Sequence, residues 1–353
     1  MSPRAFTVAG RAIGDAAPVF VVAEAGVNHN GEMALARRLV DAAADSGADA
    51  VKFQTFSADA LVSRGAPKAG YQVATTGAAQ SQRDMLAGLE LSLDQHVELQ
   101  QRCAKRGIVF FSAPFDQKSG DLLEALGVPL FKIPSGEITN LPLLRHLAAK
   151  GRPVILSTGM STLREVETAV AAIRAAGDPP LAILHCVSAY PAPAGESNLR
   201  AMDTLRERFG VPVGLSDHTL GIEVALAAVA RGARVVEKHL TLDKTLPGPD
   251  HRASLDPVEF AALVRAIRSV ESALGDGDKR PMPSELDTRR VARKSLVAAR
   301  AVRVGERLTA EAVAIKRPGT GIPPADLERA LGRVVKRALA PDQVIGWEDL
   351  AEP

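Results

Sequence analysis

The stretch Val211–Leu240, "VPVGLSDHTLGIEVALAAVARGARVVEKHL", decides the fold. It opens on an apolar run ending in "SDHT", passes through "IEVALAAVARGA" at helical spacing with a closing glycine, and returns to "RVVEKHL". Two apolar runs joined by a helix predict parallel strands that are covered on their outer face. The same unit recurs upstream at "VFVVAEAG" (from Val19), "AVKFQT" (Ala50), "VFFSAP" (Val109), "LFKIPS" (Leu130), "VILSTG" (Val154) and "LAILHCV" (Leu181). Helix-like stretches such as "MALARRLVDAAADSGA" lie between most of them. Eight such strands in about 250 residues predict an α/β fold, a (β/α)8 TIM barrel. A doubly wound sheet is the alternative, but the glycine-rich fingerprint it normally carries after the first strand is missing.

The remaining chain predicts additions to this barrel. "FTVAGRAIG" reads as a small hairpin, giving an N-terminal segment over residues 1–17 and a barrel over 18–274. The longest interval between strands, Ser57 to Leu91, predicts an insertion over the barrel mouth, a lid or substrate loop. The polar linker 275–294 then leads to a compact domain over 295–353. There, "RAVRVGERLTAEAV" (Arg300–Val313) aligns with "RALAPDQVIGWEDL" (Arg337–Leu350), a weak repeat of strand, turn, strand and acidic helix start.

Composition narrows the function. The 353 residues are 46% hydrophobic and 24% charged with a net charge of +2, and no basic block interleaved with aromatics points to nucleic acid. The two cysteines, Cys103 and Cys186, are far apart, which leaves a reducing cytoplasm as the default location. Neither a signal peptide nor an apolar run of about 18 residues is present, so no membrane segment is expected.

A barrel does its chemistry at the C-terminal ends of its strands. Here those ends carry Glu24, Lys52, Gln54, Ser112, Lys132, Ser135, Ser157, Thr158, His185, Ser188, Ser216, His218, Glu237 and His239. So many polar groups around one mouth predict a site rather than a packing layer. The adjacent Ser216, Asp217 and His218 are not a hydrolase triad: on a strand the serine and histidine face one way and the aspartate the other. A nucleophile elbow is also missing. His218 instead pairs with His239 at the end of the neighbouring strand, and two histidines with open positions suit Mn, Fe, Co or Zn. Asp217 or Glu237 would orient an imidazole. His29, His96, His146, His185 and His251 are weaker candidates, with His96 and His146 expected at the surface or in packing. Lys52 and Lys132, among Ser135, Ser157 and Ser216, would cradle a phosphate or carboxylate. Lys132 as a Schiff-base nucleophile remains the rival reading.

These residues, in "AEAGVNHNG", "VKFQTF", "FSAPFD", "FKIPSGE", "ILSTGM", "LHCVSAYPAP", "GLSDHT", "EKHLTLD", "LPGPDH" and "KRPGTGI", resemble the sialic-acid synthase family, the N-acetylneuraminate, legionaminate and pseudaminate synthases. The resemblance covers nearly the whole chain. It implies a barrel followed by an antifreeze-like (SAF) domain, and a domain-swapped homodimer in which each small domain reaches over its partner's barrel. It implies that His218 and His239 hold a divalent metal, manganese or magnesium, and that Lys52, Lys132, Ser135, Ser157 and Ser216 bind phosphoenolpyruvate. Ser188 stands where some members carry asparagine at a phosphate or carboxylate contact. Glu24 would work beside the reacting carbons. Gln54, Tyr190 and Asp250 would surround the aminosugar, and Arg317 would reach the N-acyl group in the other subunit's site. Arg293 and Lys294, in place of apolar residues seen in some neuraminate enzymes, lean toward the bacterial legionaminate-type branch.

The implied reaction joins phosphoenolpyruvate to an N-acylated mannosamine-type sugar, N-acetylmannosamine or 2,4-diacetamido-2,4,6-trideoxymannose. With water it gives a nine-carbon 2-keto acid and phosphate by C–O cleavage, assisted by a Lewis-acid metal. Two other readings stand beside it: a Schiff-base pyruvate aldolase built on Lys132, and a non-enzymatic carbohydrate- or ice-binding protein built on the C-terminal domain.

Overall fold

The computed structural model describes residues 5–15, 17–77 and 79–352; residues 1–4, 16 and 353 of the expected terminal segments lie outside the described residues. All eight expected barrel strands form: Phe20–Gly26, Ala50–Thr55, Val109–Pro114, Phe131–Ile133, Val154–Ser157, Leu181–Cys186, Val213–Asp217 and Val235–His239. All are parallel to their neighbours, and the eighth pairs back onto the first from Val235↔Phe20 to His239↔Glu24. The sheet begins and ends at the third and fourth strands, so a nearly closed barrel has its seam there.

Alternation along each strand divides the core in two. Val21, Ala23, Val51, Phe53, Val154, Ile183 and Val236 face outward and pack under the helices. The helix Met33–Asp45 presents Ala36, Leu39, Val40 and Ala43 to them, a stripe at i, i+3, i+4 and i+7. Phe20, Val22, Phe111, Ile155, Leu184 and Val235 face inward and fill the lower barrel. The hairpin Phe6–Val8 with Arg11–Ile13 adds Val8 and Ile13 to that inner cluster and plugs its floor. The upper interior is therefore left to polar residues.

The same parity settles Asp217. It faces outward and accepts a 2.6 Å hydrogen bond from the ammonium of Lys238, with both side chains fully buried. It also accepts from the amide and hydroxyl of Thr219 at 2.9 and 2.8 Å. Ser112, Thr158 and His185 likewise depart from the expected mouth. Ser112 bonds Thr55, which bonds the buried His96; Thr158 donates to the Leu184 carbonyl; His185 bonds the Ser197 carbonyl. His146 lies half-exposed beside Asp121.

The insertion folds as three short helices, Ala58–Leu61, Gly70–Thr76 and Gln82–Ala87. The chain divides into units Met1–Gly275 and Asp276–Pro353. Within the second, a mostly exposed helix Leu286–Ala292 occupies the expected linker, and Ser295–Ala298 pairs antiparallel with Val313–Lys316. The sequence repeat survives as a reciprocal pair between Val302 and Leu339 and as matching 3-10 turns at Ala310–Ala312 and Trp347–Asp349. Its other expected strands shrink to isolated pairings, because only a few residues separate successive turns.

Removing one partner of a buried ion pair strands the other charge, at a cost of about 3–5 kcal/mol. Asp217→Ala leaves Lys238 with the Thr219 carbonyl alone, whereas Lys238→Met leaves Asp217 its two Thr219 donors. Asp217→Ala is therefore expected to lower the denaturation midpoint more than Lys238→Met, and urea titrations of the two variants check the order.

Candidate active site

The inward-facing residues at the strand tops meet in a cavity of about 520 Å³. Glu24, Lys52, Gln54, Lys132, Ser135, Ser157, Ser188, Tyr190, Ser216, His218, His239 and Asp250 all line it, together with Glu237. Thirteen residues singled out in the sequence thus come together. Arg317 lies exposed on the second unit, just beyond the strand Val313–Lys316.

Glu237 is the centre of the charged floor. Its Oε1 takes Lys52 Nζ at 3.0 Å, Lys132 Nζ at 3.2 Å and the Ser216 hydroxyl at 3.0 Å. Lys52 also reaches Glu24 at 3.3 Å, and the Gln54 amide donates to the same Glu24 oxygen at 3.2 Å. Glu24 ends a stretch where the register slips by one residue against the second strand. The slip falls at Gly26, with φ of +50°, where a Cβ would stand 3.2 Å from Glu24 Oε1 and 3.3 Å from the Gln54 amide. Glycine there keeps the carboxylate and amide in place.

A second wall is built of hydroxyls. The Gly159 amide donates to Ser135 Oγ at 2.9 Å, which leaves the Ser135 O–H free to donate to an anion. A Cβ on Gly159 would fall 2.2 Å from Ser188 Oγ, 2.9 Å from Ser135 Oγ and 3.2 Å from Cys186 Sγ, so this wall closes only around a glycine. Ser157 Oγ is buried in the cavity without a protein partner.

The imidazoles of His218 and His239 lie 5.3 Å apart, centroid to centroid. The sequence expectation that Asp217 or Glu237 orients an imidazole fails, because Lys238 engages the one and the two floor lysines the other. The Val187 carbonyl holds His218 Nδ1 at 2.8 Å, with Cys186 Sγ at 3.7 Å. That contact leaves His218 Nε2 as a free lone pair. His239 Nδ1 is buried without a hydrogen-bond partner, 3.9 Å from Asp250 Oδ2. Two such nitrogens beside a carboxylate fit a divalent cation, although no cluster of three or more His, Cys, Asp or Glu forms among the described residues. Substrate or water oxygens would have to complete the shell.

Burial and charge set the protonation states. Burial and the nearby Glu237 raise Glu24 to about 7 against the pull of Lys52 and Lys132. Burial lowers Lys132 to about 8, helped by Lys52 and opposed by Glu237. Burial alone would raise Glu237, yet Lys132 and Lys52 hold it well below the usual carboxylate range. Burial raises Asp250 to about 6. The floor thus carries two ammonium groups, one firm carboxylate and one carboxyl balanced near neutrality.

Tyr190 stacks between His218 at 4.2 Å and Tyr71 at 5.0 Å. These are the only two tyrosines of the chain. Sequence reasoning left out Tyr71, Gln72, Met85 and Leu86, which the insertion sends into the cavity. It placed Glu237 at the mouth only as support for an imidazole, whereas the structure makes it the acceptor between the two lysines.

Residues 39–279 match the NeuB family and residues 293–351 the SAF domain. The N,N'-diacetyllegionaminic acid synthase of Legionella pneumophila is 46% identical over 341 residues, 96% of this chain and 96% of its own length. That of Campylobacter jejuni is 47% identical over 92% of this chain and 98% of its own. Among solved structures, the N-acetylneuraminic acid (sialic acid) synthetase of Leptospira borgpetersenii, in complex with citrate, aligns with a TM-score of 0.73 at 36% identity, over 81% of this chain and 95% of that one. With these relatives, its motifs and its barrel, the chain belongs to the NeuB family, the sialic-acid synthases, and ends in a SAF domain over residues 293–351.

Proposed function

We propose that this chain is a C–C bond-forming transferase that condenses phosphoenolpyruvate with 2,4-diacetamido-2,4,6-trideoxymannose to give N,N'-diacetyllegionaminate and phosphate. The observation that carries this is the buried Lys52–Glu237–Lys132 floor, an anion site that shares one cavity with Glu24 and the histidine pair. The choice of sugar rests on the two legionaminic acid synthases that match 96% and 92% of the chain.

Lys52 and Lys132 attract the carboxylate and phosphate of phosphoenolpyruvate, and the Ser135 and Ser157 hydroxyls donate to the remaining oxygens. Ser188 adds a hydroxyl to the same wall. Ser216 can join them by turning its O–H away from Glu237. Gln54, Tyr190 and Asp250 orient the open-chain sugar so that its aldehyde carbon meets C3 of phosphoenolpyruvate. His218 Nε2 and His239 would hold a divalent cation, manganese or magnesium, which when bound supplies Lewis-acid polarisation of the aldehyde. As the C3–C1 bond forms, positive charge builds at C2 and water adds there. Glu24, with its Oε2 buried and unpartnered, takes that water's proton. That proton passes to the former aldehyde oxygen, which becomes a hydroxyl. The bond from C2 to the phosphate oxygen then breaks as the C2 hydroxyl becomes the ketone, and phosphate leaves with its proton. The substrates are small metabolites; no membrane or nucleic-acid partner is involved, and phosphoenolpyruvate places the reaction in the cytoplasm. In a homodimer, Arg317 on the SAF domain of one subunit contacts the N-acyl group of the sugar bound by the other.

The lowered Lys132 gives the Schiff-base reading its one supporting observation. Phosphate release that requires both phosphoenolpyruvate and the sugar, and that stops on metal chelation, is the expected result. Borohydride with pyruvate should leave Lys132 unmodified; a trapped adduct there, with chelator-resistant turnover, would favour the aldolase. Glu24→Gln should lower kcat by about 10²–10⁴-fold. In the parent enzyme the rate should rise with pH through about 7 as Glu24 deprotonates, and a pH–rate profile of the variant should lack that limb. Arg317→Ala should raise the KM for the sugar at least tenfold with little change for phosphoenolpyruvate; equal effects on the two substrates would remove Arg317 from the sugar.

A further inference from the structure

The cavity has two halves of opposite character. Its floor is charged, whereas the wall supplied by the insertion is built from Leu61, Val62, Met85 and Leu86. Set into this wall are Tyr71 and Gln72, on the helix Gly70–Thr76. Gln72 is buried, and its Oε1 accepts from the Ala69 amide at 3.0 Å and from the Gln82 side-chain amide at 3.2 Å. Those two donors fix which end of the side chain is oxygen, so the Gln72 NH2 is turned the other way. One of its hydrogens meets the Tyr71 hydroxyl oxygen, which leaves its second hydrogen and the Tyr71 O–H as donors. An N–H donor and a hydroxyl framed by aliphatic side chains match one chemical group well: an acylamino substituent, whose carbonyl takes the donor and whose methyl takes the wall.

Resting on the function proposed above, we infer that the insertion is a subsite for a second N-acyl group, with Gln72, Tyr71 and the aliphatic wall selecting a 2,4-diacylamino-6-deoxy sugar over N-acetylmannosamine. The two sugars differ at the places this wall would read. N-acetylmannosamine carries hydroxyls at C4 and C6, where the diacetamido sugar carries an acetamido group and a methyl. Against Leu61, Val62, Met85 and Leu86, those hydroxyls would give up water without gaining a partner. The acetamido and methyl groups would instead bury apolar surface and satisfy the Gln72 donor. The wall also stands apart from the Lys52–Glu237–Lys132 floor, so selection among sugars need not disturb phosphoenolpyruvate.

Two variants of the full-length enzyme test this with phosphate release from each sugar. Gln72→Glu keeps an oxygen for the Ala69 and Gln82 donors, while it replaces the N–H donor proposed for the acyl carbonyl by an acceptor and adds a negative charge to the wall. Val62→Ser makes the wall polar. In each, kcat/KM for 2,4-diacetamido-2,4,6-trideoxymannose should fall about tenfold relative to that for N-acetylmannosamine, the scale of one hydrogen bond or one apolar contact, while the KM for phosphoenolpyruvate holds. Turnover of the N-acetylmannosamine reports that each variant is folded. Phosphate release with an unchanged ratio between the sugars overturns the subsite alone. A parent enzyme that prefers N-acetylmannosamine overturns the subsite and the proposed choice of sugar, while leaving the condensation standing. Phosphate release from neither sugar by the parent enzyme overturns the proposed function and the subsite with it.

Discussion

Two ammonium groups at the bottom of one buried cavity require a carboxylate between them, and Glu237 is that carboxylate. A pair of unit charges 4 Å apart at an effective dielectric near 20 interacts by about 4 kcal/mol. Without Glu237, Lys52 and Lys132 could not both stay charged so far from water. The three residues come from the eighth, second and fourth strands, so their contact spans the barrel interior. It exists only because the eighth strand pairs back onto the first and carries Glu237 to the lysines. Closure of the sheet and assembly of an anion site are therefore one event. The apolar layer beneath, from Phe20 to Val235, keeps the floor dry enough for these charges to matter.

The residues "SDH" show how a strand can serve two purposes at adjacent positions. Ser216 and His218 point into the cavity, where the serine bonds Glu237 and the histidine faces its partner on the next strand. Asp217 points out and is locked to Lys238, itself between Glu237 and His239. Two neighbouring strands thus carry matched sets: inward groups that do chemistry, and an outward ion pair that pins the strands together under the helices. The outer pair fixes the register on which the inner alignment depends, because a slip of one residue would exchange the two sets.

Much of this was legible in the sequence, for a physical reason. Strand parity is a strict rule: it turned Ser216 and His218 to one side and Asp217 to the other, while position at a strand end brought Lys52, Lys132 and His239 to the same mouth. The expectation failed where polar residues near strand ends were counted without regard to parity. Ser112 and His185, inside their strands, have the opposite parity and turn outward, and Thr158, just past its strand, bonds back to the neighbouring strand. Who orients His218 was equally hidden, since the Val187 carbonyl belongs to no side-chain pattern. The insertion was legible as a length and not as a surface: short helices with mixed polarity do not announce which face they turn to a cavity. Tyr71 and Gln72 became visible only once their contacts did.

The division between strands and insertion has a consequence for how such a site can diverge. The floor is carried on barrel strands whose outward neighbours are core residues, so a change there disturbs both chemistry and packing. The insertion is held down by a small separate cluster, Val27, Phe56 and Leu89 with Leu61, Leu86 and Phe115 at its edge. That cluster is distinct from the two that stabilise the barrel. Side chains on the wall can therefore be exchanged at the expense of a satellite cluster alone, leaving the lysines, the carboxylates and the histidines where they are. A chain built this way keeps its reaction while the wall changes which sugar it admits.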